Sequence, residues 1–206
     1  MIAMMMALGG STNSVVHILS LARELGYENT VTLDHISDIS RRTPCLVNVK
    51  PNGPYHQTDF ERCGGMPAVM QELRDRLDTG VMTVSGRTLG ENLDAREVRE
   101  VDRNVIFSAE KPISRDGGIA VLYGNLAPGG AILRQSARYR ENLRHTGPAR
   151  VFDCQEDALE ALRAGLVKRG DVMVVRFEGP RGGPACRISM RCRPRCAAWA
   201  WTRMWR

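Results

Sequence analysis

The chain has 206 residues, of which 43% are hydrophobic and 25% charged, so it has enough apolar side chains for a core and does not have a disordered composition. No apolar run approaches the roughly 20 residues of a membrane-spanning helix, and the first residues lack the basic stretch of a signal peptide. We therefore expect a cytoplasmic protein with one large domain or parts of two.

Residues 7–13 are the first informative stretch, because an apolar segment ends there at Gly9 and Gly10 and an amphipathic helix follows. Glycine suits a helix end, and Ser11, Thr12 or Asn13 can cap the next helix. A helix N-terminus with free backbone N–H groups can hold an anion or a carboxylate. Ser11, Thr12 and Asn13 are therefore candidate substrate-binding residues. On spacing alone, a plain helix–helix corner is the simpler interpretation.

The elements that follow alternate between helices and short strands. The helix after the corner is predicted to end near Gly26, and Asp34 can cap a short second helix. Residues 44–49 have the pattern of a buried strand that leads into a turn at residues 51–54.

Two capping boxes mark later helices, at residues 58–61 and 88–91. Pro67 suits the first turn of a helix whose apolar face is predicted to include Leu77. Residues 81–84 have the pattern of a short strand. This alternation favours an α/β arrangement.

Beyond a charged stretch the sequence becomes rich in β-type residues. The predicted strands are at residues 119–123, 131–133, 149–152 and 172–177. One helix interrupts them at residues 155–166, with Asp153 as its cap and Leu166 inward. The pattern predicts the start of a β-rich, barrel-like domain that stops before a barrel could close.

The predicted organisation is the second half of an α/β N-terminal domain followed by the start of a β-rich C-terminal domain. Its boundaries are residues 1–97 for the α/β part, 98–106 for a linker, 107–184 for the incomplete β-rich part and 185–206 for a divergent tail.

The tail carries the net charge of +6, because it contains six arginines and no acidic residue while the charges of residues 1–184 balance. It also holds all three tryptophans and three of the six cysteines. Out-of-frame translation of a GC-rich gene would give this composition. The alternatives are a solvated, unfolded tail and a basic tail that binds nucleic acid by charge and stacking. The cysteines lack Cys-x-x-Cys spacing, so no metal site is predicted there.

Several motifs in this order resemble one enzyme family, the dihydroxy-acid dehydratase / 6-phosphogluconate dehydratase family. They are residues 7–13 (ALGGSTN), 50–56 (KPNGPYH), 63–68 (CGGMPA), 83–92 (TVSGRTLGEN), 124–128 (GNLAP) and 178–184 (EGPRGGP). The resemblance runs from about residue 2 to residue 184. It is closer to the dihydroxy-acid and sugar-acid dehydratases than to the phosphogluconate branch.

The resemblance implies a lyase that dehydrates 2,3-dihydroxy acids to 2-keto acids, as in branched-chain amino-acid biosynthesis. It implies an iron–sulfur cluster that acts as a Lewis acid on the departing hydroxyl, and a Mg²⁺ ion that holds the carboxylate and the 2-hydroxyl. A serine alkoxide takes the C2 proton. It further implies a small-molecule dihydroxy acid as partner and a homo-oligomer. Neither a membrane nor nucleic acid is expected as a partner.

The ligands of both cofactors are absent from this sequence. The cluster cysteines and the Cys-Asp-Lys segment of the family precede the first residue, and the serine-base segment is missing. Where the family has Gly-Met-x-Glu, this chain has residues 185–188, and Ile188 offers no oxygen to a hard cation. We therefore predict no catalytic and no metal-binding residue, and interpret the chain as an internal fragment that is inactive by itself. The abrupt end of the similarity favours a frameshift for the tail.

Overall fold

The computed structural model describes residues 1–96, 100–135 and 144–177 of the chain. The chain divides into two compact units, Met1–Arg138 and Tyr139–Arg206. The helices of the first unit are α1 (Ile2–Ala7), α2 (Thr12–Glu24), α3 (Leu33–Arg42), α4 (Gln57–Arg62), α5 (Gly65–Glu72), a 3₁₀ turn (Arg74–Arg76) and α6 (Leu89–Asp94). Its strands are β1 (Ile119–Leu122) and β2 (Ala131–Arg134). In the described ranges, no helix is long and apolar enough to cross a membrane.

The helix predicted after the glycine pair is confirmed as α2. Ser11 is its N-cap, and the Ser11 hydroxyl oxygen accepts a hydrogen bond from the Asn13 backbone N–H at 3.3 Å. The helix ends at Glu24, and Gly26 turns the chain with a φ of +75°. Val15 and Ile18 are buried, so the apolar stripe that predicted the helix is the face that packs.

The second helix is confirmed as α3, but its predicted cap is wrong. Thr32 caps it, with its hydroxyl oxygen 3.2 Å from the His35 backbone nitrogen, while Asp34 lies in the first turn. The Asp34 carboxylate instead accepts a hydrogen bond from the Tyr123 hydroxyl at 2.6 Å. This bond raises the pKa of Tyr123, because deprotonation would set two negative charges side by side.

The strand predicted at residues 44–49 is present only as isolated bridges. Cys45 pairs with Ser114, Val47 with Ile106 and Val49 with Tyr55. The partner changes along the segment, so no continuous ladder forms although the segment is mostly buried. The strand predicted at residues 81–84 is likewise a single bridge, because the chain reverses at Gly86, whose φ is +73°.

The capping boxes have different outcomes. The box at Thr88 and Glu91 is confirmed, with both reciprocal bonds formed at 3.2 Å and 2.7 Å. The box predicted at residues 58–61 is wrong. The helix begins at Gln57 with His56 as its N-cap, and the Asp59 carboxylate accepts from the His56 backbone N–H at 2.8 Å. Pro67 lies in the first turn of α5 as predicted, but α5 ends at Glu72, well before Leu77.

Two hydrophobic clusters form the core of the first unit. One contains residues of α1, α4 and α5 and the buried stretches around residues 46 and 106: Met4, Ala7, Leu46, Val47, Phe60, Val69, Leu73, Val105 and Ile106. The other joins α1, α2 and α3 to the hairpin: Met5, Met6, Val15, Ile18, Ile36 and Ile119. Successive residues of α1 therefore serve both clusters, because Met4 and Met5 point to different sides of the helix.

The hairpin of β1 and β2 is antiparallel, with Ile119 opposite Arg134 and Val121 opposite Ile132. It lies against α3, where the buried Ser40 hydroxyl donates to the Ile119 carbonyl at 2.5 Å. Residues 98–106, predicted as a linker, end in Val105 and Ile106, which are 2% and 0% exposed. The predicted domain boundaries stay a prediction. In the structure, residues 105–135 belong to the first compact unit.

The second unit is a strand–helix–strand unit made of β3 (Ala149–Phe152), α7 (Gln155–Arg163) and β4 (Val172–Val175). The strands are parallel, with Ala149 opposite Val172. Cys154, rather than Asp153, occupies the N-cap position of α7. The helix ends early and Gly165 turns the chain with a φ of +70°, so Leu166 is 64% exposed and not inward as predicted.

Mixed helices and small sheets agree with the predicted α/β class. The described residues form one two-stranded antiparallel sheet and one two-stranded parallel sheet, and neither closes into a barrel. Residues 178–184 and the tail at residues 185–206 lie outside the described residues.

Candidate functional site

The corner between α1 and α2 is built on two consecutive glycines. The Gly9 N–H bonds to the Met6 carbonyl and the Gly10 N–H to the Met5 carbonyl, which is the Schellman arrangement for ending a helix. Gly9 is the left-handed residue of this motif, with a φ of +62°. The motif satisfies the last carbonyls of α1 and redirects the chain into α2.

The corner is also tightly enclosed by other segments. An ideal Cβ at Gly9 would lie 2.1 Å from the Asn52 side-chain nitrogen, and one at Gly118 would lie 2.3 Å from the Gly9 Cα. Glycine is therefore required at both positions for packing, and at Gly9 for conformation as well. The Cys45 sulfur is 3.5 Å from the same ideal Cβ at Gly9, so its thiol lies beside the corner.

The Gly9 carbonyl accepts two hydrogen bonds from side chains. The Asn52 amide donates at 3.0 Å and an Arg134 guanidinium N–H donates at 2.7 Å. Arg134 is the last residue of β2 and faces the same side of the hairpin as Ile132, which packs against the second core cluster. The positive charge of Arg134 is consequently bonded to Gly9, which precedes the N-cap Ser11 by two positions.

The three candidate substrate-binding residues lie together at this N-terminus. Ser11 is exposed, whereas Thr12 and Asn13 are half-buried. The Asn13 N–H bonds to the Ser11 side chain and the Ser14 N–H to the Ser11 carbonyl. In the described part of the chain, the backbone N–H groups of Ser11 and Thr12 meet no acceptor. No acidic residue lies in the first turn of α2, so its positive dipole end is not neutralised locally.

The arrangement can therefore bind a small carboxylate. Two backbone N–H groups can donate to one carboxylate, and the hydroxyls of Ser11 and Thr12 can donate to a second oxygen or accept from a substrate hydroxyl. The Arg134 charge favours an anion over a neutral ligand by simple Coulomb attraction.

A second motif, residues 83–92, is a self-contained polar loop. The Asn92 amide donates to the Thr83 hydroxyl at 2.7 Å and to the Ser85 hydroxyl at 2.9 Å, and Thr83 donates to the Arg87 carbonyl at 2.7 Å. Bonds from the Thr88 backbone N–H and hydroxyl lower the pKa of the Glu91 carboxyl. These bonds account for Thr83, Ser85, Thr88, Glu91 and Asn92 without a ligand.

The described residues do not fit either an iron–sulfur cluster or a Mg²⁺ ion. No group of three His, Cys, Asp or Glu side chains among them is close enough to hold a metal ion. Among the described residues, Cys45, Cys63 and Cys154 form no disulfide; Cys45 is buried, whereas Cys63 and Cys154 are partly exposed. No reaction step is therefore assigned to a metal or a cluster on these residues.

Sequence reasoning missed Asn52 and Arg134. Asn52 lies in the Pro-Asn-Gly-Pro turn of residues 51–54, where asparagine is explained by turn chemistry alone. The only signal for Arg134 is the alternation of β2, which places a basic side chain on the inward face with Ile132. Neither pattern identifies Gly9 as their common acceptor.

Comparison with known proteins gives two family matches in tandem. The model described as dihydroxy-acid/6-phosphogluconate dehydratase N-terminal matches residues 1–92, and the corresponding C-terminal model matches residues 104–198. The second match extends past residue 184 into the tail. The Gly9 corner combines the two, because Asn52 lies in the first match and Arg134 and Gly118 in the second.

Individual relatives carry the same name. The chain aligns over 184 residues with a dihydroxy-acid dehydratase of Methanosarcina barkeri, to which it is 47% identical. This alignment covers 88% of the chain and 33% of the relative. The chain is 49% identical to the dihydroxy-acid dehydratase of Caldanaerobacter subterraneus, and the alignment covers 88% of the chain and 32% of the relative. It is 47% identical to that of Carboxydothermus hydrogenoformans, and the alignment covers 90% of the chain and 33% of the relative. The chain spans about a third of the length of these relatives. With both family models matched in order along it, this chain belongs to the dihydroxy-acid/6-phosphogluconate dehydratase family.

Proposed function

We propose that the chain supplies the substrate-carboxylate contacts of a hydro-lyase that converts 2,3-dihydroxy acids, including sugar acids, to 2-keto acids. Ser11, Thr12 and Asn13 are the proposed contact residues. The observation that carries the proposal is the N-terminus of α2. The backbone N–H groups of Ser11 and Thr12 meet no acceptor in the described residues, and the first turn of α2 has no acidic residue, in a chain that belongs to a dehydratase family.

The chemistry gives such a segment a definite task. Loss of water from a 2,3-dihydroxy acid requires removal of a weakly acidic C2 proton and departure of hydroxide from C3. Both steps require the substrate to be held in one orientation. Fixed N–H donors at a helix N-terminus hold a carboxylate without reorganising, and hydroxyl or amide side chains beside them can recognise the 2-hydroxyl. Proton transfer and departure of hydroxide are assigned to groups outside the described residues.

The cofactors of the proposal are the iron–sulfur cluster and the Mg²⁺ ion that the resemblance implies for the longer family members. They would supply Lewis-acid chemistry at the departing hydroxyl and at the substrate carboxylate. The described residues offer no ligand set for either group, so the proposal expects no turnover from this chain alone.

A chimaera tests the function. The aligned third of the Methanosarcina barkeri dihydroxy-acid dehydratase would be replaced by the matching residues of this chain, and formation of 2-keto acid would be followed from a 2,3-dihydroxy acid. We expect dehydratase activity in the chimaera. Thr12→Val or Asn13→Leu should lower kcat/KM by about 10-fold to 100-fold, the effect of leaving a charged or polar substrate group without its hydrogen bond.

Asn29→Leu is the matched control, because Asn29 lies in an exposed turn of the same unit and outside the family motifs. It should leave kcat/KM within about twofold, as surface substitutions usually do. A folded, cofactor-loaded chimaera that does not dehydrate the acid would refute the function. A folded chimaera in which Thr12→Val and Asn13→Leu match the control would refute the contact residues.

The finer architecture and setting belong to the same proposal. We infer that residues 107–184 are the start of a barrel-like domain, supported by short strands with turns between them, and that the protein is a cytoplasmic homo-oligomer. The alternative of nucleic-acid binding through the tail is supported only by the arginines and tryptophans of residues 185–206. The relatives are named dehydratases, and the C-terminal family match continues to residue 198.

A further inference from the structure

We propose that Asn52 and Arg134 are positioning residues for residues 11–13, acting through the carbonyl of Gly9. This inference rests on the proposed function, because it concerns how the same ligand-contact segment is aimed. Neither side chain is proposed to touch the substrate.

The first argument is convergence on one atom. Asn52 lies 43 positions along the chain from Gly9 and Arg134 lies 125 positions away, yet both donate to the Gly9 oxygen, at 3.0 Å and 2.7 Å. The second of these bonds is charge-assisted, which makes it stronger than a bond between neutral groups. A carbonyl held from two directions by distant elements cannot rotate without breaking both bonds.

The second argument is the intrinsic freedom of the corner. Two adjacent glycines allow the peptide between Gly9 and Gly10 to adopt many orientations, because neither residue has a Cβ. The Schellman bonds fix the Gly9 and Gly10 N–H groups but leave the Gly9 carbonyl outside both helices. Without external donors, the direction in which the chain enters α2 would vary. The direction of the Ser11 and Thr12 N–H groups would vary with it.

The third argument is an uncompensated atom on Asn52. Its side-chain nitrogen faces the Gly9 carbonyl, while its side-chain oxygen is buried and accepts no hydrogen bond in the described part of the chain. An amide whose only need was its own stability could turn toward solvent and satisfy both ends. The retained geometry agrees with a residue whose task is to hold the Gly9 carbonyl.

The test uses the full chain labelled with ¹⁵N, with glycerate, the smallest 2,3-dihydroxy acid, as the probe. Backbone amide signals of residues 10–14 are recorded first without ligand and then during a glycerate titration. The variants are Asn52→Leu, which keeps the size and removes the donor without adding a charge, and Arg134→Met, which keeps the stem and removes the guanidinium. Arg134→Lys keeps the charge with one donor group. Asn29→Leu and Arg41→Met are matched controls at exposed positions.

We expect the ligand-free signals of residues 10–12 to shift or broaden in Asn52→Leu and Arg134→Met, while the signals of Leu46 and Phe60 in the core stay in place. The Kd for glycerate should rise about tenfold in each, which corresponds to about 1.4 kcal/mol. The double variant should lose less than the product of the two, because both act through one carbonyl. Arg134→Lys should recover part of the loss, and the controls should bind as the unchanged chain does.

The outcomes separate the two proposals. If the unchanged chain shows no glycerate-dependent shift at residues 11–13, the proposed contact residues are refuted, whereas the dehydratase function is decided by the chimaera. The ligand-free signals then still decide whether Asn52 and Arg134 hold the corner. If glycerate binds the unchanged chain, and both variants bind it with the same Kd, the positioning role is overturned. Arg134→Lys gives the same decision if Arg134→Met does not fold.

Discussion

The corner at Gly9 and the loop at residues 83–92 both turn the chain at glycines, yet their hydrogen bonds span very different distances along the sequence. The side-chain bonds within the loop join residues at most nine positions apart. The corner adds to its own Schellman bonds two donors that lie 43 and 125 positions away. The loop can therefore form from its own residues, whereas the geometry of the corner depends on the fold of the whole first unit.

The difference separates a structural motif from a motif suited to a ligand. In the loop, the polar side chains satisfy one another through Asn92, Thr83 and Ser85. At the corner, the distant side chains bond to the Gly9 carbonyl, and the first N–H groups of α2 meet no acceptor in the described ranges. A site that holds its donors available requires this kind of support from outside.

Gly118→Ala should have the largest effect, because it would break the corner itself. The new Cβ would lie 2.3 Å from the Gly9 Cα, a backbone atom that cannot move aside without disturbing the end of α1. We expect a loss of about 3 kcal/mol of unfolding free energy, at the upper end for overpacking. The measurement is urea unfolding followed by circular dichroism.

Gly124→Ala is the matched control, since no atom lies within 4 Å of the ideal Cβ at that exposed glycine. Equal stabilities of the two variants would show that the close approach of Gly118 to Gly9 does not constrain the fold.

Thr88→Ala should have a smaller and strictly local effect. It removes the hydroxyl that accepts from the Glu91 N–H and so opens the capping box of α6. We expect a loss of about 1 kcal/mol, the usual value for an N-cap. Amide hydrogen exchange should become faster in α6 but not at residues 10–14. Thr30→Ala, at an exposed threonine, is the control, and faster exchange at the corner would contradict the local character of the loop.

Asp171 in the second unit combines a local and a distant bond, and its effect should appear mainly in acid. Its carboxylate accepts from the Lys168 N–H at 2.9 Å and from the Arg150 guanidinium at 3.0 Å. The backbone bond first, and then the arginine, lower the pKa of Asp171 below its ordinary value of 3.8. The folded state therefore gains stability from the charged form above the unfolded value of 3.8, and loses it as pH falls through the lowered pKa.

Asp171→Asn should accordingly be less stable than the unchanged chain at neutral pH, and the difference should shrink as the pH is lowered below about 3.8. Thermal unfolding across this range measures it, with Asp157→Asn at an exposed carboxylate as control. A stability difference that does not depend on pH would exclude the lowered pKa as its cause.

Local chemistry explains which elements could be predicted. The α2 helix and the capping box at Thr88 follow from side chains within a few positions of the feature that they determine. The strands at residues 44–49 and 81–84 were overestimated, because apolar runs report burial but not the presence of a continuous partner strand. Leu166 was placed inward because the pattern does not show that the helix ends at Arg163.

The sequence predicts the helix-cap residues of the candidate site but not the residues that support them. Ser11, Thr12 and Asn13 follow a glycine pair, and this local signal identified them as helix-cap residues. Asn52 and Arg134 could not be found, because their common target is a backbone carbonyl, which leaves no mark in the amino-acid sequence. Only the tertiary fold brings a turn and a strand end to the same oxygen.

The position of Arg134 has a consequence for how this family can recombine. The match to the N-terminal family model includes Gly9 and Asn52, and the match to the C-terminal model includes Gly118 and Arg134. The boundary between the two family matches therefore does not coincide with a boundary between compact units of the fold, because the Gly9 corner takes residues from both matches. A crossover between residues 92 and 104 would combine the Gly9 corner of one parent with the residues at positions 118 and 134 of the other parent. An exchange at this boundary should therefore keep the corner intact when both parents have the glycines and the arginine of this chain.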